Sequence, residues 1–169
     1  GRKALFDNTS GENNVAVGND ALTNNTTANN NVAVGVNVLK CNITGHTNVA
    51  FGNDSLDANS TGCKNTAIGR HALGSNTTSN ENVAVGCGAG CSNTTGCRSV
   101  FIGQEAGKLT TTPEGNTFVG RAAGCNAVSG NNNTALGQSA GIDAVKNITG
   151  SDTHQLVLGN NSVTNAFIK

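Results

Sequence analysis

The sequence repeats with a period of seventeen residues, and this period constrains the fold more than any other feature. A glycine closes a short β-rich run at Gly18 and at every seventeenth residue after it as far as Gly137. The next glycine of this kind, Gly159, follows twenty-two residues later, so a five-residue insertion falls between Ile142 and His154. Helical repeats need about 33 residues or more. Each repeat is therefore expected to form one coil of a stacked β-structure.

Every coil carries the same pattern of side chains when Asn14 is numbered position 1. Asparagine recurs at position 1, small and β-forming residues occupy positions 2 to 4, and position 5 is glycine. A second apolar step follows at positions 8 and 9, and positions 12 to 15 are turn-like. The pattern predicts an all-β parallel β-solenoid of about nine coils, each with two short strands and a rise of about 4.8 Å.

Two columns of this solenoid have expected structural roles. The glycine at position 5 is expected at a corner that needs a positive φ or a close approach between coils. The asparagines at position 1 are expected to hydrogen-bond along their column. The period also divides the chain into repeats over residues 1–141, an insertion loop over 142–154, and a last coil with a C-terminal strand over 155–169.

The composition argues against several functional classes. Charged residues make up 12% of the chain and the formal net charge is zero, so no basic field is available for nucleic acid. No apolar run approaches the roughly 20 residues of a membrane-spanning helix. Aromatic residues make up only 3%, which indicates a narrow interior filled by small side chains.

Position 3 suggests contacts between chains. If positions 2 and 4 face the interior, the alternation of a strand turns position 3 outward. This position is apolar, and a strand that is apolar on both faces is normally buried on both. Other chains are therefore expected to cover position 3, and where position 9 changes from Leu to Gly, position 3 soon changes from Ala to Phe, as though volume moved between packing positions. The candidate packing residues are Ala16, Ala33, Ala50, Ala67, Ala84, Phe101, Phe118 and Ala135.

The repeats resemble those of a known group of surface proteins. Residues 13–18 (NNVAVG) and 64–69 (KNTAIG), each followed by x-x-Ala, resemble the N-S-V-A-I-G-x-x-A repeats in the YadA-like heads of trimeric autotransporter adhesins. Residues 133–141 (NTALGQSAG) are similar to repeats of phage and viral tail-fibre proteins. The resemblance implies a left-handed β-roll, a side-by-side homotrimer and attachment to a host surface.

Neither a catalytic motif nor a metal motif stands out from the repeat. Residues 137–141 (GQSAG) match the G-x-S-x-G pattern of hydrolases, but the same positions carry GQEAG and GRAAG in the two preceding coils. Ser139 thus occupies a variable position, and the chain is expected not to be an enzyme. No C-x-x-C pattern indicates a metal, and no cofactor is expected.

The six cysteines also follow the repeat. Two pairs share a coil position but lie two coils apart, or about 9.5 Å, whereas the Cα atoms of a disulfide lie within about 7 Å. A bond between Cys87 and Cys91 within one coil, or bonds between chains, remain open alternatives.

Position 12 offers an alternative function. Its asparagines begin N-x-S/T sequons, which are acceptors for N-linked glycans, although a turn rich in Asn and Thr generates such sequons by itself. The candidate glycan sites are Asn8, Asn25, Asn42, Asn59, Asn76 and Asn93.

The sequence as a whole predicts a structural fibre or adhesin segment. It is expected to form a rigid homotrimeric rod on a virion, at a cell surface or in the extracellular space, with a host-surface protein or glycan as a further partner. The alternatives are a monomeric solenoid that binds ice or glycan, and a subunit of a glycosylated extracellular filament.

Overall fold

The chain folds as a parallel β-solenoid, which confirms the predicted fold class. The computed structural model describes residues 1–112, 114–142, 148 and 152–162. Nine three-residue strands pair in chain order into one parallel sheet, and no helix occurs in these residues. The strands are β1 (Val15–Val17), β2 (Val32–Val34), β3 (Val49–Phe51), β4 (Thr66–Ile68), β5 (Val83–Val85), β6 (Val100–Ile102), β7 (Thr117–Val119), β8 (Thr134–Leu136) and β9 (Leu156–Leu158).

The register of the sheet follows the sequence period. Val15 pairs with Val32, and every pairing up to β8 advances by seventeen residues, so equivalent coil positions stack in columns. Thr134 pairs with Leu156, a step of twenty-two residues, so the five extra residues lie between β8 and β9. The strand expected after the last coil falls on residues 163–169, outside the described part of the chain.

The predicted second strand of each coil is wrong. Positions 8 and 9 form a turn, because position 9 has a left-handed backbone with φ of 51° at Leu22 and 49° at Leu39. An apolar pair predicts burial but cannot distinguish an extended backbone from a tight turn. The turns still bond from coil to coil, since the Leu22 N–H donates to the Val38 carbonyl at 3.0 Å. Burial of the leucine side chain offsets the cost of the left-handed backbone, about 1–2 kcal/mol per residue.

Position 3 faces the interior of its own chain, so the predicted orientation of the strands is wrong. Seven of the eight candidate packing residues are fully buried within this single chain, and Ala16 in the first coil packs against the same core. The interior of the coil is narrow, so position 3 holds alanine where position 9 is leucine and admits phenylalanine only where position 9 is glycine, while the residues of positions 2 and 4 point outward. The residues predicted to pack between chains therefore belong to the core of one chain: Ala16, Ala33, Ala50, Ala67, Ala84, Phe101, Phe118 and Ala135.

Side-chain volume does shift from position 9 to position 3 as predicted, but both positions lie in the core of one chain and not between chains. A Cβ atom on Gly107 would lie 2.4 Å from the Phe101 ring, and one on Gly124 would lie 2.6 Å from the Phe118 ring. Each phenylalanine therefore occupies the space that leucine fills in the first four coils. In the eighth coil, Ile148 from the insertion takes this place beside Gly141.

The asparagines of position 1 form the predicted ladder. Asn48 Oδ1 accepts the Asn65 N–H at 3.0 Å, and Asn65 Oδ1 accepts the Asn82 N–H at 3.1 Å. The Asn65 Nδ2 group donates to the Ser79 carbonyl at the end of the same coil at 2.8 Å. These side chains are buried, so each one satisfies backbone groups that water cannot reach. Among the described residues, no buried side-chain nitrogen or oxygen lacks a partner.

Replacement of Asn65 by alanine is expected to lower the free energy of unfolding by about 1–3 kcal/mol, because it leaves the buried Asn82 N–H without an acceptor and removes one of the two amide donors to the Ser79 carbonyl. Asn65→Ser is the matched control, since Ser99 serves in the same column and its Oγ accepts the Asn116 N–H at 3.2 Å. Urea denaturation of both variants measures the difference. Equal losses for the two variants would contradict a role in hydrogen bonding.

The glycines of position 5 lie at the predicted corner. Gly86 has φ of 137°, and a Cβ atom there would lie 2.6 Å from the carbonyl carbon and oxygen of Gly103 in the next coil. The same contact recurs from coil to coil, so this column brings backbones together too closely for any side chain.

Candidate interaction surfaces

The outer face of the sheet is an apolar surface. Positions 2 and 4 of the nine strands point away from the core and hold Val, Ile, Leu, Phe and three Thr residues. Val17 is 56% exposed, Phe51 40% and Ile68 41%. We call these two columns the sheet face, which extends for about 40 Å at the strand spacing of a parallel sheet. A contiguous apolar surface of this length is typical of a protein–protein contact.

Charged columns border the sheet face on both sides. Lys64, Glu81 and Arg98 stand at position 17, just before successive strands, and Lys64 Nζ lies 3.5 Å from Glu81 Oε1. Asp54 and His71 stand at position 7, beyond the glycine corner, with 3.6 Å between Asp54 Oδ2 and His71 Nε2. The sheet face itself carries no charge. An apolar centre with a polar rim is the arrangement found in protein interfaces.

Sequence reasoning missed this surface because it reversed the two sides of the strand. One signal for the correct orientation was present. Threonine occurs at position 2 in Thr66, Thr117 and Thr134 but never at position 3, as expected if position 3 alone is fully buried.

The glycan interpretation of position 12 is wrong for the folded chain. Asn25, Asn42, Asn59 and Asn76 are completely buried, and Asn93 is nearly so. The Asn59 Nδ2 group, which a glycan would occupy, donates to Asn42 Oδ1 at 2.8 Å and to the Gly62 carbonyl at 3.0 Å. Even Asn8, which is half-buried, uses Nδ2 to bond the Gly11 carbonyl at 3.0 Å. The predicted glycan acceptors instead use their side-chain amides in hydrogen bonds within and between the coils: Asn8, Asn25, Asn42, Asn59, Asn76 and Asn93.

The next two columns present hydroxyl groups at the surface. At position 13 these groups bond to the neighbouring coil, as when Thr77 Oγ1 donates to the Thr94 carbonyl at 3.2 Å. At position 14 every residue is exposed. The residues of this outer column are Ser10, Thr27, Thr44, Thr61, Thr78, Thr95, Thr112 and Ser129.

All six cysteines are free thiols, including Cys87 and Cys91. Cys63 and Cys97 stand at position 16, where their sulfurs accept the backbone N–H groups of His46 and Asn80, each at 3.4 Å. Asn80 uses its side-chain oxygen for the same purpose, accepting the Cys63 N–H at 2.7 Å. These two cysteines are therefore members of a hydrogen-bond ladder. No group of three His, Cys, Asp or Glu residues in the described part of the chain is placed to hold a metal ion.

Ser139 lies in a turn of the solenoid. It occupies position 7 with φ of 55°, the same backbone conformation as Asp54 and His71 in earlier coils. Its N–H donates to the Arg121 carbonyl at 2.8 Å, as part of the coil-to-coil bonding. Ser139 therefore occupies an ordinary turn position of the repeat.

Comparisons with family models, curated proteins and solved structures find no match to this chain. The described residues contain no helix long and apolar enough to cross a bilayer. The surfaces and their chemistry therefore carry the functional argument.

One carboxyl on the charged side of the coil is expected to make stability depend on pH. Burial, and next the nearby Asp54 carboxylate, raise the pKa of Asp57 above its ordinary value. The unfolded chain then ionises Asp57 at a lower pH than the folded chain does. The free energy of unfolding is therefore not reduced by Asp57 below about pH 4, and it falls as the pH rises through the pKa that Asp57 has in the folded chain.

Asp57→Asn is accordingly expected to raise the melting temperature at pH 7 and to leave it unchanged at pH 3, where the wild-type carboxyl is protonated in both states. Thermal unfolding across this range measures the difference. Asp7→Asn, which makes the same change at an exposed residue of a neighbouring coil position, serves as the matched control. A larger gain at pH 3 than at pH 7 would reverse the assigned direction.

Proposed function

We propose that this chain is the shaft of a structural fibre or adhesin, in which three copies pack side by side through their sheet faces and hold an attachment site away from a virion or cell surface. The observation that carries the proposal is the long sheet face, which is apolar except for three threonines. Nine strands in register place its side chains on one surface, which a chain acting alone would leave in water.

The interior supports a role as a shaft. Each coil bonds to the next through backbone groups and through two asparagine columns, so the same contacts recur along the whole stack. Such a structure resists bending because many equivalent hydrogen bonds must distort together. The resemblance to adhesin heads and to tail-fibre repeats favours three chains and a left-handed coil.

The sheet face can be tested with one charged substitution. Ile68→Lys places an ammonium group in the middle of this surface and is expected to convert the trimer to a monomer, because the charge would lose its hydration on assembly. Asn24→Lys introduces the same residue at an exposed site away from the sheet. Light scattering would then give three times 16.9 kDa for the wild type and Asn24→Lys, and 16.9 kDa for Ile68→Lys. A monomeric wild type would refute the proposal.

A monomeric solenoid that binds a regular surface is the second candidate. The exposed hydroxyl column at position 14 favours it, since its members recur with the strand spacing of about 4.8 Å. A monomeric wild type with thermal hysteresis that Thr78→Lys abolishes would select this function over the fibre.

A further inference from the structure

A hollow interrupts the charged side of the solenoid between the third and sixth coils. Its volume is about 440 Å³, within the range of roughly 300–1,000 Å³ that holds small molecules. The lining side chains come from positions 6, 7, 10 and 11, none of which belongs to the sheet face. The hollow therefore lies outside the surface through which the chains are proposed to associate.

Two glycines create the hollow, and the fold requires neither of them. Gly88 stands at position 7 with φ of 66°, but His71 and Glu105 adopt nearly the same conformation in the neighbouring coils. A Cβ atom on Gly88 would meet only Glu105 Cγ, at 3.8 Å, and one on Gly74 would meet nothing closer than 3.4 Å. This contrasts with Gly86, where the next backbone lies in the way. The open space is thus a feature of the surface that packing does not explain.

Among the described residues, one cation that lines the hollow makes no ion pair. Lys108 Nζ lies 3.1 Å from Glu105 Oε1, and His71 is paired with Asp54. Arg70 lines the same space, is exposed, and takes part in none of the ion pairs of the described residues. Burial raises the pKa of Asp57 and so disfavours its charged form. The guanidinium of Arg70 is left to recognise an anionic group, which it can bind with two parallel N–H donors.

The remaining lining groups suit hydroxyls better than a bare anion. Ser75 and Ser92 supply hydroxyl donors and acceptors, and Asp57 and Glu105 supply carboxyl oxygens that accept from hydroxyl groups. An inorganic anion in the hollow would lie against both acidic side chains. A sugar acid carries its carboxylate at one position of the ring and hydroxyl groups at the others, so one ligand can engage both the Arg70 guanidinium and the acidic side chains that line the hollow.

We propose that the hollow formed at Gly74 and Gly88 binds one carboxylated sugar unit of a surface glycan, with its carboxylate on Arg70. This assigns a receptor class to the attachment site and rests on the proposed fibre function for its biological role. The chain has no Trp or Tyr on which a sugar ring could stack, so a single site is expected to bind in the millimolar range. Three sites per trimer, and many trimers per surface, then raise the overall affinity.

The test uses nuclear magnetic resonance of the full ¹⁵N-labelled chain with glucuronate as the probe. Glucose is the matched control because it lacks only the carboxylate. Shifts at the Gly74 and Gly88 amides are expected with glucuronate at about 1–50 mM, with affinity roughly tenfold above that of glucose. Inorganic sulfate is expected to give no comparable shift at these two amides.

Two variants localise the binding. Gly88→Asn fills the hollow with the residue that position 7 already carries at Asn37, and it is expected to abolish the shift at Gly74. Arg70→Gln introduces the residue that Gln104 supplies at the same position, and it is expected to reduce the affinity for glucuronate to that for glucose. Equal binding of glucuronate by wild type and both variants, equal shifts with sulfate, or no shift at either glycine would each overturn the proposal.

The oligomeric mass of each sample is measured in parallel. Failure of sugar binding by a trimer would refute the receptor site and leave the shaft standing. Sugar binding at the two glycines by a monomer would refute the shaft and leave the site standing.

Discussion

Replacement of Gly86 by alanine is expected to lower the free energy of unfolding by about 3–6 kcal/mol, through backbone strain together with overpacking. Its φ of 137° is a conformation that residues with a Cβ rarely adopt. The added Cβ would also lie 2.6 Å from the Gly103 carbonyl, and backbone cannot move aside as a flexible side chain can. Neighbouring coils contact at this column throughout the stack, so a shift in one coil disturbs the sheet on both sides.

Gly88→Ala supplies a control only two residues away. Gly88 also has a positive φ, of 66°, but a Cβ atom there would meet only Glu105 Cγ, at 3.8 Å. Its expected cost is about 1 kcal/mol, from the left-handed backbone alone. Chemical denaturation followed by circular dichroism gives both values. Similar losses for the two variants would show that close approach between coils is not what requires the glycine.

Replacement of Phe118 by alanine is expected to cost about 3–5 kcal/mol, because it leaves a cavity against Gly107 and Gly124. The oligomeric mass is expected to stay the same, since Phe118 is buried inside one chain. This separates a role in the core from a role between chains. Loss of the trimer at a protein concentration where the chain remains folded would point back to packing between chains.

A second substitution tests the exchange of volume directly. Gly124→Leu alone is expected to destabilise the chain, because its Cβ already lies 2.6 Å from the Phe118 ring. Combined with Phe118→Ala, it restores the Ala and Leu pair of the first four coils, where Leu56 and Leu73 adopt the same left-handed backbone. The double variant is therefore expected to be more stable than either single variant. Additive losses would show that the two positions do not share one space.

The period predicted the stacking but not the direction in which side chains point. The seventeen-residue spacing gave the register of β1 to β8, the position of the insertion and the ladder at Asn65, because each depends only on which residues are repeated. The inward side of the strand depends on the width of the coil. Ala67 leaves room for the buried Leu73 of its own coil, whereas Phe118 is accommodated beside Gly124, and this limit appears only once the turns are known.

The sequence pattern also failed to predict the conformation of the turns, which determines what the surfaces present. Leu39 in a left-handed conformation bends the chain where an apolar pair predicted a strand. Asn59 begins a sequon, but its amide is enclosed by the turn that follows it. The hollow at Gly74 and Gly88 also escaped prediction, because a glycine required by the backbone and one that leaves open space are identical in sequence.

The uniform register has a consequence for how such a chain changes over generations. Because Asn48 meets Asn65 just as Asn65 meets Asn82, removal or duplication of one complete repeat among the first four coils, which share the Ala and Leu core pair, joins surfaces that already fit each other. Unequal recombination between the repeated segments of a gene would therefore alter the length of the protein in steps of one coil, about 4.8 Å each, without disturbing its interior. A gain or loss of any other number of residues has to be accommodated between the strands, as the twenty-two-residue step from β8 to β9 shows.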